Sequence, residues 1–158
     1  MRPFLLRRKK KEVEADLPDK TEHILHCDMS AWQRILYQQV ITKSNIAVQN
    51  GKNKSFQNLT MQLRKICNHP YLFLEDDASE EYFSDRDRVR ASGKFFLLDR
   101  LLHKLKATDH RVLLFSQMVR ALDIVEDYLE EEGFKFLRLD GRTKQEDRHD
   151  LIDKWNNP

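Results

Sequence analysis

Cysteine is nearly missing from this 158-residue chain: only Cys27 and Cys67 occur, and they form no C-x-x-C pair. That excludes a disulfide-stapled scaffold and suits a reducing compartment with free thiols. It also weakens a zinc reading of His23, His26, Cys27, Cys67 and His69. The Cys67-Asn68-His69 spacing is too tight for a two-knuckle site, and His69 stands at a helix end before Pro70, so these residues are read as structural and no metal is expected. Long apolar runs are lacking as well, and none could span a membrane. Met1 is followed by Arg2-Pro3 and a basic run, without the apolar core of a secretory signal.

Glycine numbers four, which undercuts two catalytic loops. Ser92-Gly93-Lys94 has no glycine five positions before Gly93 and has Phe95 where a phosphate loop holds Ser or Thr. Ser92 reads instead as a helix N-cap. Ser116 lacks the flanking glycines of a hydrolase elbow. His103 and His110 fall at polar positions and read as solvated, and Asp140 before Gly141 reads as a turn residue. No catalytic residue is expected.

What is present in quantity is charge. Lys and Arg total 28 against 26 Asp and Glu, a net +2 that by itself says nothing about nucleic acid. The distribution says more. Arg7–Lys11 is a basic block, read as surface charge with a nuclear import signal as the alternative. Residues from Glu75 to Asp87 are strongly acidic and read as an exposed linker, a solvated helix face being the alternative.

The apolar pattern falls into two parts. In the first, Thr21–Asp28 alternates as a strand centred on Ile24 and Leu25. Ser30 with Gln33 is a capping box that predicts a helix from Ala31 to about Val48, with a stripe of Trp32, Ile35, Leu36, Val40 and Ile41, ended by Asn50-Gly51. A second helix over Phe56–Cys67 buries Leu59, Leu63 and Ile66 and is stopped by Asn68-His69-Pro70. The two make a helical hairpin without a complete core of its own.

From Ser92 the pattern turns α/β. A helix over Gly93–Lys106 buries Leu98, Leu101, Leu102 and Leu105. Val112–Phe115 is apolar on both faces, as a central parallel strand would be. The next helix uses Leu122, Val125 and Leu129 and is closed by Gly133. Phe136–Leu139 is a second strand, and Thr143 with Glu146 caps a helix burying Leu151, Ile152 and Trp155. The order is that of a parallel βαβα unit, with ligands expected at the carboxyl edge of its sheet.

At that edge lies the turn Asp140-Gly141-Arg142-Thr143. A glycine admits a ligand close to the backbone, and the amides of the following helix suit a phosphate oxygen. Arg142 and Lys144 add charge, and Ser116 and Gln117 end the neighbouring strand. An ordinary capped strand-to-helix turn explains the same residues, and both readings stay open.

Six stretches occur in the order found in chromatin-remodelling ATPases: Arg2–Arg8 (RPFLLRR), Leu17–Lys20 (LPDK), Leu63–Phe73 (LRKICNHPYLF), Ala91–Lys94 (ASGK), Arg111–Met118 (RVLLFSQM) and Leu137–Gly141 (LRLDG). Over essentially its whole length the chain resembles the SWI/SNF, Brahma-like type, of helicase superfamily two. The resemblance implies two RecA-like lobes that clasp DNA and hydrolyse ATP between them. Residues 1–74 would be the end of lobe one with its helical protrusion, 75–91 an acidic linker, and 92–158 the incomplete start of lobe two, a P-loop NTPase type. Arg111–Met118 resembles the fourth helicase motif and Leu137–Thr143 the turn that approaches the DNA backbone. By that analogy Gln117, Gly141, Arg142 and Thr143 contact phosphates, positioning the motor without reading sequence.

The family's phosphate loop and magnesium box would lie before Met1 and its arginine finger beyond Pro158. Phosphoryl transfer needs these together, so the resemblance implies ATP and magnesium for the complete motor and neither held tightly by this chain, which alone is expected to be inactive. Its implied partners are double-stranded DNA, nucleosomes and subunits of a remodelling complex, in the nucleus and away from membranes. The competing expectation is a non-enzymatic module that binds a protein partner or DNA through the hairpin and an exposed sheet edge.

Overall fold

The structure is a computed structural model and describes residues 6, 8, 13, 18, 20–49, 56–74 and 85–157. The basic block apart from Arg8, the Asn50-Gly51 stop and acidic residues 75–84 lie outside them.

Helix α1, Ala31–Gln49, begins where Ser30 caps it. The Ser30 hydroxyl accepts from the Gln33 amide at 3.0 Å while Gln33 Oε1 accepts from the Ser30 amide at 2.9 Å, the reciprocal box read from the sequence. Helix α2, Phe56–Asn68, packs against it as the second arm of the hairpin. Leu36 and Ile66 are buried between them, but Ile35, expected in the stripe, is 57% exposed. Gln33 is the reason. It is fully buried, and a residue two positions on lies roughly 200° around the helix, facing water. The strand expected over Thr21–Asp28 is not formed. Ile24 and Leu25 are exposed and no described segment pairs with them. Alternation alone cannot hold an extended segment whose backbone groups lack a partner.

Pro70 stops α2 and starts a one-turn helix that sequence reading missed, α3 (Tyr71–Leu74), since its fixed φ suits a first helical position. Helix α4, Asp85–Ala91, occupies the end of the stretch expected as linker, with Arg88 and Arg90 in its last turn, where cations complement the dipole. Arg88 pairs with Glu131 at 2.6 Å. Helix α5, Gly93–Ala107, is capped by the Ser92 side chain as expected. Helices α6, Val119–Glu131, and α7, Gln145–Asn156, complete the order.

The core consists of Leu72 from α3, Phe95 and Leu102 from α5, and Ile124 and Tyr128 from α6, flanked by Val89, Leu98 and Phe134. It thus ties α3 to α5 and α6 across the acidic stretch. Rings of His69, Phe95, Tyr128 and Phe134 form a row: the first two pairs are edge-to-face at 5.3 and 5.2 Å, the last tilted at 6.3 Å. Such contacts contribute about 0.5–1.5 kcal/mol each beyond burial. The Tyr128 hydroxyl donates to Asp99 at 2.6 Å. Burial raises the phenol's pKa well above its usual value, and the Asp99 bond adds to the shift.

The two segments expected as strands need correction. Residues 111–115 and 134–140 have no regular structure, and among the described residues no ladder hydrogen bonds join them. Consecutive strands of a βαβ unit need not be neighbours, and here both segments line one open apolar cleft of about 780 Å³. Leu113, Phe115, Leu137 and Leu139 remain exposed for that reason. Leu122, Val125 and Leu129, the predicted buried face of α6, also line the cleft; Val125 and Leu129 pack in addition against the core, whose buried members from this helix are Ile124 and Tyr128. The same holds for α7: it buries no residue, Ile152 is 46% exposed, and Arg111 stacks over the half-buried Trp155 ring at 4.5 Å.

Candidate nucleic-acid interface

The turn after residues 134–140 is rigidly built. Asp140 Oδ1 accepts from the Arg142 amide at 2.7 Å, and Oδ2 accepts from Arg138 Nε and Nη2 at 3.0 and 2.8 Å. Arg138 also donates to Glu126 and Asp123, so one guanidinium answers three carboxylates. Desolvation pulls Arg138 down, yet its bonds to Asp123, Glu126 and Asp140 more than offset this and raise its pKa. The Arg142 amide, and then Arg138, hold the Asp140 carboxyl below its ordinary range. From the other side Arg148 donates to the carbonyls of Asp140 at 3.1 Å and Thr143 at 3.2 Å. Asp140 is therefore fully committed as a structural residue, the reading its position before Gly141 suggested.

Thr143 does not cap α7. Its hydroxyl accepts from the Asp140 amide at 3.1 Å, and the N-cap is Lys144, without a side-chain cap. The expected Thr143–Glu146 box fails because the tighter local turn claims the hydroxyl first. Glu146 and Asp147 sit in the first turn of α7, where their charge opposes a bound anion. The exposed cations at this turn are Arg142, on which the Asp140 carboxylate acts, and Lys144. Gly141 is exposed too. Its φ lies outside the left-handed region, and nothing stands within 4 Å of where a Cβ would go. Neither conformation nor packing calls for glycine here.

Gln117 belongs to a different turn. Ser116 Oγ accepts from the Met118 amide at 3.2 Å, and the exposed Gln117 side chain accepts from Arg64 of α2. Among the described residues no hydrogen bond links Gln117 to residues 141–143. The structure thus unites Gly141, Arg142 and Thr143 in one turn and sets Gln117 against the hairpin. His103 and His110 are exposed, His103 lying 3.4 Å from both Asp99 and Glu132.

Sequence reading missed a buried polar joint beside Gln117. Gln33 Nε2 donates to the Ile66 carbonyl at 2.7 Å, and its Oε1 accepts from the Gly93 amide at 3.0 Å. Ser92 Oγ donates to the Asn68 carbonyl at 2.8 Å and Ser30 Oγ to the Ala91 carbonyl at 2.6 Å. Gly93 is required, since a Cβ would collide with the Asp28 carbonyl. Lys94 Nζ donates to Asn68 Oδ1 at 2.9 Å. These bonds also test the nucleotide: the Ser92 hydroxyl and the Gly93 amide, which a phosphate loop would aim at its ligand, are directed into the joint. Among the described residues no group of three or more His, Cys, Asp or Glu could hold a metal. Among the described residues, Ser92-Gly93-Lys94 therefore does not form a cradle for a nucleotide phosphate. His69 closes the joint: the Tyr71 amide donates to Nδ1 at 3.2 Å, so Nε2 carries the proton and donates to the Arg88 carbonyl at 3.0 Å. Burial lowers its pKa to about 4.

Residues 1–72 match the SNF2-related domain and residues 93–158 the helicase conserved C-terminal domain. The chain is 56% identical over 160 residues to the probable ATP-dependent DNA helicase CHR12 of Arabidopsis thaliana, covering 100% of this chain and 14% of that protein. It is 46% identical over 165 residues to the chromatin structure-remodeling complex subunit snf21 of Schizosaccharomyces pombe, again covering 100% of this chain and 14% of the relative. The chain therefore spans about a seventh of the length of these relatives. Among solved structures, the SWI2/SNF2 ATPase core of Sulfolobus solfataricus, in complex with double-stranded DNA, superposes with a TM-score of 0.73 at 23% identity, covering 99% of this chain and 33% of that one. That likeness carries the fold of part of such an ATPase core. Both parts of the chain are thus matched: it carries an SNF2-related region followed by a helicase C-terminal region, and over its whole length it is similar to SNF2-type helicases and remodelling proteins.

Proposed function

We propose that this chain is the segment of an ATP-dependent DNA translocase that joins its two lobes and grips the DNA backbone, in a motor acting on nucleosomal DNA. Residues 1–74 are the end of lobe one with its hairpin, 75–91 the connection and 92–158 the start of lobe two. The ranges of the two family matches support this division, and the order of segments and helices after Ser92 supports a parallel βαβα unit in the complete lobe. The complete motor uses ATP and magnesium at motifs outside this chain and works in the nucleus within a remodelling complex. The likeness to an ATP-dependent DNA helicase and to a remodelling-complex subunit, and the double-stranded DNA bound to the structural neighbour, support that reading.

The observation that carries it is Gly141. In a turn locked by Arg138 and Arg148, glycine stands where the chain itself needs none, beside an outward Arg142. Gly141, Arg142 and Thr143 at this turn, and Gln117 on a separate turn against the hairpin, contact phosphates of duplex DNA. The test is a salt titration of binding to a short labelled duplex. Arg142→Ala lowers affinity and reduces the slope of log affinity against log salt by roughly 0.9. Gly141→Ala leaves the thermal midpoint unchanged or higher but weakens DNA binding. Binding indifferent to salt and to both substitutions would remove the assignment.

A further inference from the structure

We propose a second phosphate-backbone contact, made by Arg64 and Lys94 around Gln117, on the seam between the two family units; it rests on the duplex-binding reading above. The residues come from three elements. Arg64 lies in the last turns of α2, Lys94 in the first turn of α5, and Gln117 in the turn before α6. All three side chains are exposed. Two hydrogen-bonded links, starting one helical turn apart on α2 and ending on successive residues, bring them together: Lys94 donates to Asn68 at 2.9 Å and Asn68 Nδ2 to Met118 Sδ at 3.4 Å, while Arg64 donates to Gln117.

Two features distinguish this cluster from scattered surface cations. First, each cation is held by a neutral amide oxygen, so position is fixed while the positive charge is not cancelled. Arg138 shows the contrast: ringed by three carboxylates, it has no charge to offer a phosphate. Second, the cluster stands directly above the buried joint. Gln33 and Ser92, both fully buried, bind the carbonyls of Ile66 and Asn68 at the end of α2 and organise the first turn of α5. Arg64 and Lys94 are thereby set by a rigid base, which limits the entropy lost when they meet an anion. The Arg64 fork retains N–H donors beyond the one given to Gln117, and the Lys94 ammonium retains two. A phosphate resting on them is shared between residues of both family units, and the Gln117 amide supplies a further donor. The chemistry required of the ligand is a repeated phosphodiester with no demand on base identity.

The experiment uses duplex DNA with the purified protein. Arg64→Ala and Lys94→Ala are each expected to weaken binding about three- to tenfold near physiological salt and to lower the salt slope by roughly one contact apiece. Arg64→Lys keeps the charge and restores most of the slope. Thermal unfolding and circular dichroism of each variant separate lost contact from lost fold, and Lys94→Gln, which preserves a donor to Asn68, serves where Lys94→Ala unfolds. Unchanged slopes in Arg64→Ala and Lys94→Gln, with Arg142→Ala still reducing binding, overturn this site and leave the turn at residues 140–143 standing. A wild-type protein that does not bind duplex DNA overturns both.

Discussion

His69 illustrates how one side chain can link burial to pH. Its ring is trapped in a single tautomer, because the Tyr71 amide points at Nδ1 and the Arg88 carbonyl accepts from Nε2. A second proton would have to enter between a donor and apolar rings, and burial holds the folded-state pKa at about 4 against an ordinary 6.5. Between those values the unfolded chain binds more protons than the folded one, so stability is full above pH 6.5 and falls as pH drops towards 4. From pH 7 to pH 5 the loss is about 2 kcal/mol by linkage. Urea midpoints at the two pH values check this, and His69→Gln, though destabilised at both, should show a smaller difference between them. Nothing in the sequence disclosed this role: the histidine was visible only as part of a helix stop, and its burial comes from α3, α4 and α5 closing around it.

The helices end by two versions of one device. After α6, Gly133 has φ +64°, its amide donates to Glu130 at 3.1 Å, and the Phe134 amide donates to Leu129 at 2.8 Å. After α5 the same pattern is made with Asp109 at φ +54°, where a side chain is strained. Gly133→Ala should cost about 1 kcal/mol, and Asp109→Gly should gain a fraction of that; thermal denaturation of the two variants reads the opposite signs. At this scale the sequence was informative. Helices α1, α2 and α5 were predicted to within a residue or so of their observed ends, because Ser30, Pro70 and Ser92 are local signals that act through neighbouring backbone. Helices α3 and α4 were missed because one is a single turn after a proline and the other lies in an acidic run. The strand at 21–28 was overread and those at 112–115 and 136–139 stand unpaired in the structure, since alternation and apolarity cannot say whether a pairing partner stands alongside. For the candidate site, the turn and its glycine were legible as a turn chemistry, but the roles of Arg138 and Arg148 depend on contacts with Asp123, Glu126 and main-chain carbonyls that no spacing encodes.

Across the whole molecule the decisive feature is the joint at Gln33. The amide exhausts its donors and acceptor on Ile66, Cys67, Ser30 and Gly93, and truncating it strands the Gly93 amide and the Ile66 carbonyl in a buried site. Gln33→Ala should therefore cost about 2–4 kcal/mol, since each buried unsatisfied group costs about 1–3 kcal/mol. Denaturant unfolding measures the loss. Hydrogen exchange then distinguishes a local defect from a shared one: the amides of α2 and α5 should lose protection together. Sequence reading placed a boundary near residues 75–91, and the family matches leave the same gap, yet packing runs straight through it from Leu72 to Phe95 and Tyr128. In the motor proposed above, this weld would oblige the hairpin and the helices beyond residue 91 to be displaced together, as one lever.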